Sequence, residues 1–343
     1  MACKNLLNPI PPVDTANDIQ LRIVNAFRFC LRTQRPKVPI TSAQLFQPMI
    51  TTTHAPIMEI DFNLHSQSHL SSNFPALLTI LIETNSSYFS DIDIARTHLV
   101  CTLFSVGIEH MRGGTAAITG SKKPIFGLAL GAVSCSFRRE LKPYESYELW
   151  SRVLTWDEKW IYIVTHFVRK GAVLPRKYSL YPEQNTGDDD DMKRRSSTSS
   201  VDSIESNEAV VATALSKCVF KQGRRTISPA LMLKESGLLP TKSLDDTLAN
   251  EIDECVPLDS CTSSDSGIDL SEGAEESELE RIEKERRRGM KVAMSLAAQS
   301  QTALEHEFTA ESEALGRHSD GTGITGVIST LAQLAHLKRD QIL

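Results

Sequence analysis

The chain has 343 residues, with 37 Lys and Arg against 43 Asp and Glu, a net charge of −6 and a pI near 5.9. That balance excludes a basic nucleic-acid binder. With 41% hydrophobic and 23% charged residues and a mean hydropathy of −0.20, the composition is that of a soluble globular protein with chain enough for one large core or two smaller ones.

Residues 1–40 read as an N-terminal arm. Pro9, Pro11 and Pro12 precede, and Pro36 and Pro39 follow, a short amphipathic helix over residues 21–32, in which Arg22, Arg28 and Arg32 alternate with bulky apolar residues. Such a helix either packs on its own domain with its arginines in water or rests on a membrane surface as a peripheral contact. The longest apolar runs, around residues 76–82, fall far short of the roughly 18–20 residues of a membrane span. Seven cysteines, odd in number and without a CxxC pair, fit a reducing, cytoplasmic location.

The main domain is expected over residues 41–240. Residues 49–62 (MITTTHAPIMEIDF) are rich in β-branched side chains around Pro56 and predict an edge or bulged strand. Residues 85–106 open with Asn and Ser, carry acids in their first turns and repeat apolar residues every three to four positions, which predicts one long helix. Strands are predicted over residues 124–141, 144–156 and 159–168, as consecutive, hairpin-linked antiparallel neighbours, with Asp157 and Glu158 forming the last turn. Residues 209–227 supply a fourth strand. Between them, residues 184–207, with four consecutive aspartates and a serine-rich run, read as a disordered loop. Residues 241–280 read as an acidic disordered linker. Residues 281–343 then form a C-terminal helical extension, whose ragged stripe of Ile282, Met290, Val292, Met294, Leu296 and Leu304 suits a docked surface helix better than a coiled coil. A strand, a long helix and a run of antiparallel strands is an α+β plan in which the sheet wraps one helix.

Two segments carry reactive side chains, residues 59–65 (EIDFNLH) and residues 85–96 (NSSYFSDIDIAR). By residue chemistry alone, Asp61 ends a strand, Asn85 caps a helix and Asp93 pairs with Arg96 at i+3. The same positions resemble those of hotdog-fold acyl thioesterases of the 4-hydroxybenzoyl-CoA type, in which an Asp lies four residues before a His, followed by Asn, an aromatic residue at the helix start and an acid-x-Ala-Arg tail. Asp61, His65, Asn85, Tyr88, Asp93, Ala95 and Arg96 match. Residues 138–144, 156–160 and 314–321 extend the similarity, which is nearest to fungal thioesterases found beside secondary-metabolite gene clusters and to animal thioesterase-superfamily proteins. The chain departs from the family in one place: Ser66 to Thr84 stand where about two residues usually separate the His from the Asn, as a retained intron or as a lid loop.

The resemblance implies a hotdog fold, a homodimer with its sites at the interface, and hydrolysis of an acyl-CoA or acyl-carrier-protein thioester without a cofactor or metal. Asp61 is then the catalytic base or nucleophile and Asp93 the backup acid. The amides near Ser86 and Tyr88 stabilise the oxyanion at the positive end of the helix dipole, and His65, Asn85, Ser86 and Tyr88 bind substrate. The alternative is a non-catalytic hotdog protein that binds acyl groups or partners. Other motifs carry less. Residues 321–326 fit GxGxxG without a preceding strand, His65 and His69 lack a third metal ligand, and Cys101 and Cys135 read as buried small residues.

Overall fold

The computed structural model describes residues 35–54, 85–112, 126–139, 141, 145–185, 209–239, 270–295, 302–309 and 312–320, with four single positions between 328 and 335. Asp61, His65, the arginine-bearing segment 21–32 and most of the two acidic segments lie outside the described residues.

In chain order the elements are β1 (Met49–His54), α1 (Asn85–Leu103), α2 (Ser105–Arg112), β2 (Phe126–Phe137), β3 (Ser146–Trp156), β4 (Ile161–Arg169), β5 (Val210–Gln222), β6 (Arg225–Ile227), α3 (Pro229–Glu235), α4 (Leu270–Ser295), α5 (Thr302–Glu305) and β7 (Gly316–Ser319). The strands form one sheet in the order β2-β5-β4-β3-β1-β7, with β6 folded back on β5. β3 and β4 make the expected hairpin, and the Asp157 carboxylate fixes its turn by accepting the N–H groups of Lys159 at 2.8 Å and Trp160 at 2.6 Å.

The expected hairpin between β2 and β3 does not form. β2 crosses to the far edge and pairs with β5, while β1 takes the place beside β3. Burial explains the exchange. β3 is buried on both faces and needs a partner on each side, whereas β2, full of Gly, Ala and Ser, is exposed along most of its length and suits an edge. The predicted single helix also differs, because the chain turns at Phe104 between α1 and α2, beside Ser105 and Gly107. A β-carbon on Gly107 would meet the Ser236 hydroxyl at 2.4 Å, so the small residue lets α2 close on α3.

The inner face of the sheet wraps α1. Met49, Leu99, Leu103, Phe104, Val153, Ile163 and Phe220 belong to the largest core cluster, and Tyr88, Ile92, Ala95, Leu149 and Phe167 to the cluster beside it. The outer face is covered by the C-terminal extension. Trp150, Ile50 and Val168 pack with Tyr178, Phe308 and Ala314, and Leu154, Val164 and Leu215 pack with Leu304 and Met290.

α4 crosses β3 at close range. The Thr155 hydroxyl donates to the Arg286 carbonyl at 2.7 Å and Arg286 Nη1 donates to the Trp156 carbonyl at 3.1 Å. At the crossing stands Gly289, where a β-carbon would lie 2.2 Å from the Leu154 carbonyl oxygen. Gly289→Ala is therefore expected to push α4 off the sheet and to cost about 1–3 kcal/mol, read as a lower urea midpoint.

The extension is not helical throughout, as expected from sequence, because Gly316–Ser319 forms a strand parallel to β1. Four residues carry too little periodicity to reveal it. The physical need lies in β1, whose outer N–H and C=O groups would otherwise have no ladder partner.

Candidate active site

The direction of α1 follows from two contacts. His98 Nδ1 hydrogen-bonds the Thr51 hydroxyl at 2.9 Å, and the Tyr147 hydroxyl donates to Asp91 Oδ2. Tyr147 lies directly opposite Thr53 across the β1–β3 pair. As β1 advances from Thr51 to Thr53, the residues of α1 that face it run back from 98 to 91. The helix therefore runs antiparallel to β1, and its N-terminal turn stands at the C-terminal end of that strand.

Asn85 and Ser86 lie in that first turn. An α-helix leaves its first four N–H groups outside its own ladder and concentrates the positive end of its dipole there. Tyr88 is buried, its ring 4.9 Å from Phe137 and 4.9 Å from Phe167, and Phe167 stacks on Tyr147 at 5.8 Å. The start of α1 is thus clamped by aromatic packing against β2, β4 and β3.

Asp93 points the other way. Its side chain is 59% exposed and accepts from Arg96, forming the expected i+3 pair, while Arg96 Nη1 reaches the Ser216 hydroxyl at 3.2 Å. The carboxylate on the buried side of α1 is Asp91, which the sequence reading missed. Two residues on a helix are separated by about 200°, so Asp91 and Asp93 occupy opposite faces. The spacing contained the signal, since Asp91 lies three residues after Tyr88 and four before Ala95, on the sheet-facing stripe that continues to His98 and Thr102. An apolar pattern search passes over a stripe that is itself part polar.

Two buried groups on the outer face have strongly displaced protonation. Glu148 is fully buried, and burial pushes its pKa up against the charge of Arg317, whose Nη1 lies 3.1 Å from its Oε1. His166 is pushed down to about 3 by burial, with the charge of Arg152 acting in the same direction. Its Nδ1 hydrogen-bonds the Thr213 hydroxyl at 3.2 Å and its ring packs 5.4 Å from Phe308. An unfolded histidine takes up its proton near pH 6.5, and folded His166 does not until about pH 3. Its contribution to stability is therefore complete above about 6.5 and is lost at about 1.4 kcal/mol per unit as pH falls through that window. The urea midpoint of His166→Gln is expected to fall less steeply than wild type between pH 6.5 and 4.

The thiols of Cys135 and Cys218 are raised by burial to about 12 and about 11, which keeps them protonated and makes them poor nucleophiles. Among the described residues, no helix is long and apolar enough to cross a membrane.

A sheet that is antiparallel but for β7, wrapped around one central helix whose first turn stands at the end of β1, is the hotdog fold. The chain belongs to the thioesterase-like superfamily, whose family model matches residues 56–233. It is 34% identical over 225 residues to "Probable thioesterase atnL" of Emericella nidulans, covering 63% of this chain and 62% of that protein. It is 32% identical over 276 residues to "Thioesterase poxG" of Penicillium oxalicum, covering 80% of this chain and 74% of that one. With "Thioesterase lcsJ" of Purpureocillium lilacinum it shares 32% identity over 238 residues, 63% of this chain and 61% of the other.

Proposed function

We propose that the chain hydrolyses an acyl thioester, carried by coenzyme A or by an acyl-carrier protein. The observation that carries this reading is the antiparallel course of α1 on β1, which gathers the first-turn amides of a buried helix at the end of the strand that the sequence continues toward Asp61. Membership of the thioesterase-like superfamily supports it. In this mechanism Asp61 either takes a proton from the attacking water and passes it to the departing thiolate, or attacks the carbonyl carbon itself, expelling the thiolate, which takes its proton from water, and forming an acyl-aspartyl anhydride that water then hydrolyses. The amides of Ser86 to Tyr88 hold the negative oxygen that forms. His65, Asn85, Ser86 and Tyr88 bind substrate, and Asp93 is the backup acid, the alternative to Asp61.

The working unit in this reading is a homodimer. β2 is an edge strand that pairs only with β5 among the described residues, and its Leu130 and Phe137 are exposed. A second copy would cover both. The same reading puts the protein in the cytoplasm, with residues 21–32 as its candidate membrane contact, and its reaction in secondary metabolism by analogy with the fungal thioesterases to which it is similar.

A non-catalytic acyl-binding or interaction protein is the second reading, favoured by the residues 66–84 that interrupt the motif. The experiment that tests the first is thiol release from short, long and aromatic acyl-CoAs by the wild type and by Asp61→Asn. Turnover that collapses in the variant supports hydrolysis. Binding of acyl-CoA without release of thiol by the wild type overturns it in favour of the second reading.

A further inference from the structure

Asp320 is a fully buried carboxylate that the reaction above leaves unused. β7 carries it into the fold. Ser319 pairs with Thr52, and one residue further the Asp320 N–H donates to the Thr52 carbonyl at 3.0 Å. Its carboxylate accepts from the Thr53 hydroxyl at 2.6 Å. Thr53 is the direct cross-strand partner of Tyr147, and Tyr147 donates to Asp91 in the second turn of α1.

A single row of polar side chains thus runs from the C-terminal extension across β1 and β3 into the helix, with no member more than 2% exposed. Two carboxylates buried in one row are a costly way to fill a core, since apolar side chains of similar volume would stabilise it as well or better. What such a row supplies is geometry. Hydrogen bonds tie the end of β7 to β1 and tie β3 to the helix turn, and the β1–β3 register joins the two, where apolar packing leaves more freedom.

We propose that Asp320 is a positioning residue for the thioester site. By holding Thr53 it fixes the end of β1, and through the Thr53–Tyr147 pair and Asp91 it sets where the first turns of α1 stand against that strand. It does not touch substrate. The proposal rests on the hydrolysis reading above, and it makes the C-terminal extension a working part of the site.

The test uses the full chain and the acyl-CoA of the panel that it turns over best. Asp320→Leu, which removes the acceptor at similar volume, and Thr53→Val are expected to lower kcat about 10–100-fold, the scale of a misplacement near 1 Å, with KM within about threefold of wild type. Thr53→Ser keeps the hydroxyl and is expected to stay near wild type. The double variant Thr53→Val/Asp320→Leu is expected to be no slower than the slower single, because both remove one interaction. Should Asp320→Leu fail to fold, the comparison of Val with Ser at position 53 carries the test alone.

Equal kcat in wild type, Asp320→Leu and Thr53→Val overturns the positioning role and leaves hydrolysis standing. So does a loss in Thr53→Ser as large as that in Thr53→Val, or losses that multiply in the double variant. A wild type that binds acyl-CoA and releases no thiol overturns the hydrolysis reading, and the positioning role falls with it.

Discussion

Asp61→Asn is expected to slow thiol release from acyl-CoA about 10²–10⁴-fold, the range that one acid–base group supplies, with substrate affinity largely kept. The amide matches the carboxylate in size and still accepts a hydrogen bond, but it can neither take a proton from water nor attack a carbonyl carbon. The control is Asp93→Asn. Asp93 faces outward and already holds Arg96, so its loss is expected to cost less than about tenfold if Asp61 is the working acid. Steady-state kinetics on both variants decides between the carboxylates, and a collapse in Asp93→Asn with activity retained in Asp61→Asn would move the chemistry to the helix.

The second large effect is structural. Glu307→Ala is expected to destabilise the protein by about 3–5 kcal/mol, because it leaves the largely buried charge of Arg152 with only the backbone carbonyl of residue 307 in place of a carboxylate. Arg152 is bound by Glu307, which also accepts from Arg288 Nη2 at 2.9 Å. Burial alone would raise the pKa of Glu307, but Arg288 and Arg152 together outweigh it and hold the carboxylate ionised. For Arg152 burial is the larger influence and lowers its pKa in spite of that pairing. A double variant, Arg152→Met/Glu307→Leu, removes both charges and is expected to recover most of the loss. Urea unfolding of the three proteins measures each difference, and a Glu307→Ala midpoint equal to wild type would show the pair to be dispensable.

Much of the inner layer was legible in the sequence. β3 and β4 could be read from alternation and an acidic turn, and α1 from its start and spacing, because each element's partners lie on one or two faces of the same domain. The position of β2 could not. Alternation reports which residues of a strand face a core, and says nothing of which neighbour accepts its hydrogen bonds. The burial of Glu148 and His166 and the near-burial of Arg152 were equally hidden, since Glu148 and Arg152 look like the solvated face of a half-exposed strand until the C-terminal extension covers them.

At the site, the Asp93–Arg96 pair follows from local spacing and Tyr88 from the resemblance, whereas Asp91 and Asp320 follow from neither. Each of the latter depends on a hydroxyl far away in the chain. Thr53 and Asp320 are 267 residues apart, a separation at which no motif search looks for a partner.

That separation also sets an order of events during synthesis. At about 5–20 residues per second, β1 leaves the ribosome roughly 15–50 s before Asp320 is made. For that interval its outer edge has no strand of its own to pair with and is open to strands of neighbouring chains. β1 gains its outer partner only when a strand far downstream of it has been translated. A nascent chain that stalls or is cleaved before Gly316 would therefore present an unfinished edge, a feature that a quality-control factor or an aggregating copy can recognise.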